Sequence, residues 1–147
     1  TGSEVSLALD AARLLKEKHG EHARVISMPS MELFREQPQD YRDSVLLPTV
    51  PCRLSLEAGT TFGWKEFTGD LGSEYGITHF GESAPAEALA EKYGFTAQAV
   101  SDRMHRMVAE FPARFTAHLH RGLDALSRVA PANLPPDIGA LVQARRR

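Results

Sequence analysis

The chain has 147 residues, 42% of them hydrophobic and 24% charged, which suits one domain with a real core and excludes a disordered or fibrous class. Its 17 basic and 19 acidic residues give a formal net charge of -2, so the balance points neither to nucleic acid nor to an anionic membrane surface as a partner. The single cysteine, Cys52, excludes an intrachain disulfide and a cysteine metal cluster, fits a reducing compartment and gives the expectation of a cytoplasmic protein. No apolar run approaches the roughly 20 residues of a membrane span. The opening Thr1-Gly2-Ser3-Glu4 carries no basic stretch followed by an apolar one, so no signal peptide is read there.

A helix is predicted almost at once, with Ser3 as its N-cap and Glu4 in the first turn. Val5, Ala8, Leu9, Ala12 and Leu15 form an apolar stripe at helical spacing. Leu7, Ala11 and Leu14 widen it, so the helix is expected to be largely buried and to stop at Gly20. A strand is predicted over Ala23–Ser27, because adjacent Val25 and Ile26 suggest burial on both faces. Ser30 then caps a helical turn through Met31–Phe34, Pro38 breaks it, and Asp40 caps a second short helix with Tyr41, Val45 and Leu46. A second strand is predicted from Cys52 to Glu57, then a short helix near Phe62, Trp64 and Phe67, and an edge strand over Glu74–Thr78. Ser83 and Pro85 open a helix that Gly94 ends, and Thr96 caps the next, which shows Val100, Met104, Met107 and Val108 on one face. Helical patterning continues past Pro112 through Phe111, Phe115, Leu119, Leu126 and Val129, until Pro131, Pro135 and Pro136. That stretch predicts an amphipathic helix packed against something, because packing supplies most of a helix's stability.

Helices alternating with short buried strands predict an α/β layered domain. The usual order is strand, loop, helix, yet no strand precedes the first helix. A stripe so wide needs a sheet to cover it, so the chain is expected to begin just after a lost strand. Val25 and Leu54 should then flank a gap.

A search for chemistry finds little. Gly2 before a helix could present backbone N–H groups to an anion, but a turn glycine beside a cap explains it. Of His19, His22, His79, His105, His118 and His120, no pair sits four apart on one helix face, and His118 and His120 point to different sides. His79, before Phe80-Gly81, is the best single candidate to contact a ligand. Cys52 at a strand start behaves as a small apolar residue. Glu57, at a strand's C-terminal end, stands where α/β sites gather but has no partner in the pattern. Phe62, Trp64 and Phe67 read as packing or interface residues. The terminal Arg145, Arg146 and Arg147 read as a solvated end.

Several blocks nevertheless resemble transketolases. Thr1-Gly2-Ser3-Glu4-Val5 is similar to their TGSEV, and Val25–Ser30 with Glu32-Leu33-Phe34 to their V-V/I-S-M-P-S-x-E-L-F. Gln37, Tyr41-Arg42 and Ser44-Val45-Leu46 continue the likeness, as do Glu57-Ala58-Gly59, Phe62-Gly63-Trp64 and Gly76-Ile77. Phe80–Glu87 and Tyr93-Gly94-Phe95-Thr96 complete it, so that it runs from Thr1 to about Val108. The resemblance implies that family's C-terminal domain over residues 1–108: a three-layer α/β/α sandwich on a mostly parallel sheet, here without its first strands. Residues 109–147 are left as a helical tail of unknown role. The resemblance further implies a parent homodimer that moves a two-carbon ketol unit from a ketose phosphate to an aldose phosphate. Thiamine diphosphate and a divalent cation, Mg or Ca, serve that reaction in upstream domains, which are this segment's implied partners. The family's Gly-Asp-Gly motif is absent, since Gly69-Asp70-Leu71-Gly72 departs from it. No residue here is therefore assigned a catalytic, cofactor-binding or metal role, and the segment is expected to be structural, dimer-shaping or regulatory. Dihydroxyacetone synthases share much of the pattern. A pyruvate dehydrogenase beta chain, a deoxyxylulose-phosphate synthase and a stand-alone interaction domain are the other readings.

Overall fold

The computed structural model describes residues 1–129 and 133–138, so the expectations for Pro131 and for Arg145–Arg147 lie outside the described residues. The chain divides into two compact units, Thr1–Glu110 and Phe111–Arg147.

The first unit opens with α1 (Ser3–His19). Its N-cap is Gly2, at φ 51°, rather than the expected Ser3. Ser3 lies inside the helix and donates its hydroxyl to Glu4 Oε1 at 2.9 Å, which removes it from capping duty. Gly20 ends α1 in the left-handed conformation at φ 70°, as expected, with its N–H on the Lys16 carbonyl at 2.9 Å. Burial is narrower than the stripe predicted: Ala11 and Leu15 are buried, while Leu9 is 51% exposed.

The strand expected over Ala23–Ser27 is not formed. Residues 21–29 make no backbone–backbone hydrogen bond among the described residues. The reason is physical, because a strand exists only through a ladder and no described strand lies beside Val25 and Ile26. α2 (Met31–Arg35) follows, capped as expected by Ser30, whose hydroxyl accepts from Leu33 N–H at 3.2 Å. α3 (Gln39–Val45) begins after Pro38, so Asp40 sits in its first turn instead of capping it.

β1 (Leu54–Leu56), α4 (Lys65–Thr68) and β2 (Ser73–Tyr75) make a two-stranded parallel sheet with its crossover. Leu54, Ser55 and Leu56 stand opposite Ser73, Glu74 and Tyr75. The strands are shorter than the expected Cys52–Glu57 and Glu74–Thr78. Gly72 lets the crossover close: a Cβ there would stand 2.6 Å from Thr68 Cβ and 2.8 Å from the Arg53 carbonyl oxygen. α5 (Ala86–Lys92) starts behind Pro85 and is ended by Tyr93 and Gly94, at φ 74°. α6 (Ala97–Ser127) carries Pro112 inside it, and Thr96 caps it by accepting from Ala99 N–H at 3.2 Å.

The result is a mostly helical α/β arrangement. Ala11, Leu15, Met28, Phe67, Leu71, Val100 and Met107 form its buried apolar core. All seven belong to the first unit. In the second unit the expected packed face is open, with Phe115, Leu119 and Val129 at 43, 50 and 37% exposure. Phe111 stacks on Phe115, ring centroids 5.9 Å apart, so the stripe is satisfied in part by its own neighbours one turn on.

Candidate functional site: an apolar slot beside the sheet

The residues singled out for chemistry do not converge. His79 is exposed on the loop before Phe80, its Nδ1 2.8 Å from the Phe80 carbonyl oxygen and its ring tilted on Tyr93 at 5.0 Å. Glu57 is occupied by the chain's own start, accepting from the Thr1 amino group at 3.0 Å and from its hydroxyl at 2.8 Å. Gly2 is exposed, and His118 is half-buried while His120 is exposed. Among the described residues no three His, Cys, Asp or Glu side chains gather in a way that could hold a metal ion. No helix among them is long and apolar enough to cross a membrane.

Two histidines do meet, a pairing that spacing could not reveal. The His19 ring stacks on that of His105 at 3.7 Å, and His105 Nδ1 lies 3.0 Å from Glu21 Oε1. The contact joins the end of α1 to α6 across more than eighty residues of sequence, so no local pattern records it.

The most developed feature is a cavity of about 350 Å³ in the first unit. One wall is His22–Ile26 with Met28, the run expected as a strand; the other is Cys52–Leu56, including β1. Val5, Ala8 and Leu15 of α1 line it, as do Val100, Met104 and Met107 of α6. The gap expected between Val25 and Leu54 is therefore present, and the two segments are not hydrogen-bonded to each other. It also explains why α1 is less buried than its stripe demands.

The wall at β1 is held firmly. Arg53 donates to the carbonyls of Val50 at 2.9 Å, Leu47 at 2.9 Å, Leu46 at 3.3 Å and Phe67 at 3.0 Å. One guanidinium thus satisfies backbone acceptors from the end of α3, the loop before β1 and the crossover helix. The side of β1 that faces β2 is also spent: Ser73 N–H donates to the Arg53 carbonyl at 2.9 Å and Glu57 N–H to that of Tyr75 at 3.0 Å. In a parallel ladder successive residues turn their N–H and C=O to opposite edges. Leu54 and Leu56 therefore direct theirs away from β2, toward the slot. Ser55 also lines the slot; it is 6% exposed, and its hydroxyl has no hydrogen-bond partner among the described residues. The cavity is lined mostly by apolar side chains, with the polar Glu4, His22, Arg24, Arg53, Ser55 and Thr68 among its lining residues, and is polar along one backbone edge.

Residues 1–96 match the family described as Transketolase-like TK C-terminal domain. The chain is 49% identical over 100 residues to a chloroplastic transketolase of Solanum tuberosum, covering 68% of this chain and 13% of that protein. It is 48% identical over 106 residues to a transketolase of Mycobacterium bovis, covering 72% and 15%. Among solved structures it resembles a Leishmania mexicana transketolase at 41% identity and TM-score 0.67, covering 76% of this chain and 16% of that one. A Pichia stipitis transketolase in complex with sedoheptulose 7-phosphate is similar at 36% identity and the same TM-score and coverage. The chain thus spans only about one seventh of the length of its curated relatives.

Proposed function

Because the chain belongs to the transketolase-like C-terminal domain family, we propose that it is the C-terminal segment of a transketolase and serves that enzyme as a structural, dimer-shaping or regulatory part. The parent moves a two-carbon ketol unit between sugar phosphates with thiamine diphosphate and a divalent cation, Mg or Ca. It works as a cytoplasmic homodimer, and its upstream domains are this segment's partners. Residues 1–108 are the family domain, which the upstream polypeptide completes as a three-layer α/β/α sandwich by supplying the strand absent from the slot. Residues 109–147 are an added tail. The observation that supports this best is the family match from Thr1 to Thr96, with alignments that cover only 13–15% of the relatives' length.

The Gly69–Gly72 run does not fit the cofactor. Asp70 is exposed and sits 3.8 Å from the Lys65 ammonium, and the space beside Gly72, where a Cβ would stand, is already filled by Thr68 and the Arg53 carbonyl. No step of the reaction is therefore assigned to this chain, and no catalytic, cofactor or metal residue is proposed in it.

Ketol transfer tests the reading directly. Pure chain given thiamine diphosphate, magnesium, xylulose 5-phosphate and ribose 5-phosphate should show no turnover above blank. The same mixture should turn over once the parent's upstream polypeptide is joined to it. Turnover by the chain alone, or none by the joined protein, would overturn the assignment.

A further inference from the structure

We propose that the second unit is a contact for an anionic lipid surface, with the apolar face of α6 beyond Pro112 seated at the headgroup boundary and the arginines of the tail meeting lipid phosphates. This goes beyond the transketolase assignment and does not rest on it, since residues 111–147 lie outside the family match of residues 1–96.

Three observations carry it. The first is a separation of charge that the whole-chain balance hides. Residues 111–147 hold six arginines and two aspartates, with no lysine and no glutamate. Residues 1–110 hold eleven basic and seventeen acidic residues. The small net charge is thus the sum of a negative first unit and a positive second one. Such asymmetry calls for an anionic partner on the basic part.

The second is how these charges sit around the helix. At about 100° per residue, Phe111, Phe115, Leu119, Leu123 and Leu126 share one arc of about 120°. Arg114, His118 and Arg121 share the band that borders this arc, and Asp124 is the only acid between residues 111 and 129. The third is that the arc is open: Phe115 and Leu119 are 43 and 50% exposed, and Arg121 and Arg128 are exposed as well.

Together these set two demands on one partner. It must be apolar where it meets the arc and anionic along the border, turn after turn of the helix. A lipid boundary is hydrocarbon at depth and phosphate at its edge, over any length of helix. Arginine suits the border, because its apolar stem lies along the helix flank while the guanidinium reaches the headgroups. No helix among the described residues is long and apolar enough to cross a membrane, so the contact lies in the plane of the surface.

The test floats the full 147-residue chain with vesicles of phosphatidylcholine alone or with about one third phosphatidylglycerol. Anionic vesicles should bind about tenfold more chain than neutral ones, and salt at about 0.5 M should weaken that binding severalfold. They should also slow amide exchange over residues 113–127 by about tenfold. Phe115→Ala with Leu119→Ala should lower binding about tenfold, and since alanine is the best helix former the loss is not one of helix. Arg121→Gln with Arg128→Gln should lower it as much. Phe62→Asp, an exposed aromatic in the first unit, should change nothing. The near-ultraviolet signal of Trp64 reports that the first unit stays folded in every variant. Equal binding to both vesicles would reduce the face to a sticky apolar surface. Loss with the arginine variant but not the alanine one would mark a polyanion such as nucleic acid as the partner. Loss with Phe62→Asp would place the contact in the first unit. No flotation, or self-association that follows protein concentration and so marks the acidic first unit of a second copy as the partner, would also overturn the proposal.

Discussion

Phe67 is a buried aromatic that joins several elements of the first unit. It is 6% exposed, meets Phe34 edge-on at 5.9 Å and Trp64 at 6.1 Å, and carries the Arg35 guanidinium 5.5 Å above its ring. Its carbonyl is one of the four on Arg53. Phe67→Ala should therefore cost about 3–5 kcal/mol of stability, read as a lower urea midpoint with an unchanged slope. Phe62→Ala should be nearly silent, since Phe62 is 88% exposed. The sequence placed these aromatics together but could not separate them, because a four-residue helix with a turn before it has no settled face until its neighbours are present. A pH effect belongs to the same neighbourhood. Arg35 donates to both carboxylate oxygens of Glu66, and this pairing holds the Glu66 carboxyl below its ordinary value of 4.5. A depressed carboxyl contributes stability above that ordinary value and loses it as pH falls through the folded-state value. Both groups are exposed, so the contribution is small. Thermal melts of wild type and Arg35→Met should differ slightly at pH 7 and converge as pH drops below about 4. A gap that stays constant down to pH 2 would mean that Arg35 acts by packing on Phe67 alone.

α6 is one helix by hydrogen bonding and two by environment. Val100, Ser101 and Met107 are its buried residues, all before Pro112. Beyond that point Phe115 and Leu119 are largely open. Pro112 also lacks the N–H that would continue the ladder, and Thr116 bonds its hydroxyl to the Pro112 carbonyl at 2.9 Å. Helical stability comes mostly from packing, so amides from residue 113 to 127 should exchange far faster than those from 100 to 108. Uniform slow exchange along the whole helix would show that its exposed face is covered in solution. Helix positions were legible from stripes and stops because those signals are local: Gly20, Ser30, Thr96 and Gly94 all act where expected. The strand at Val25 was misread for the opposite reason. β-branched residues record what a segment would do beside a partner, and they cannot record that the partner is missing.

At the scale of the whole chain, the slot was legible as an inconsistency. α1 carries more apolar surface than its surroundings use, and the gap between Val25 and Leu54 accounts for the surplus. The His19–His105–Glu21 contact and the Arg53 hub were not legible, because each depends on side chains that only the fold brings together. Arg53 has one more consequence, and it concerns the order of assembly. Its most distant acceptor, Phe67, lies only 14 residues away in sequence, and the rest are nearer. Short loops close early because little chain entropy is lost in closing them. The β1–α4–β2 crossover is thus expected to organise early in refolding, with its amides gaining protection from exchange before those of α1 and α6; protection of α1 first would refute this order.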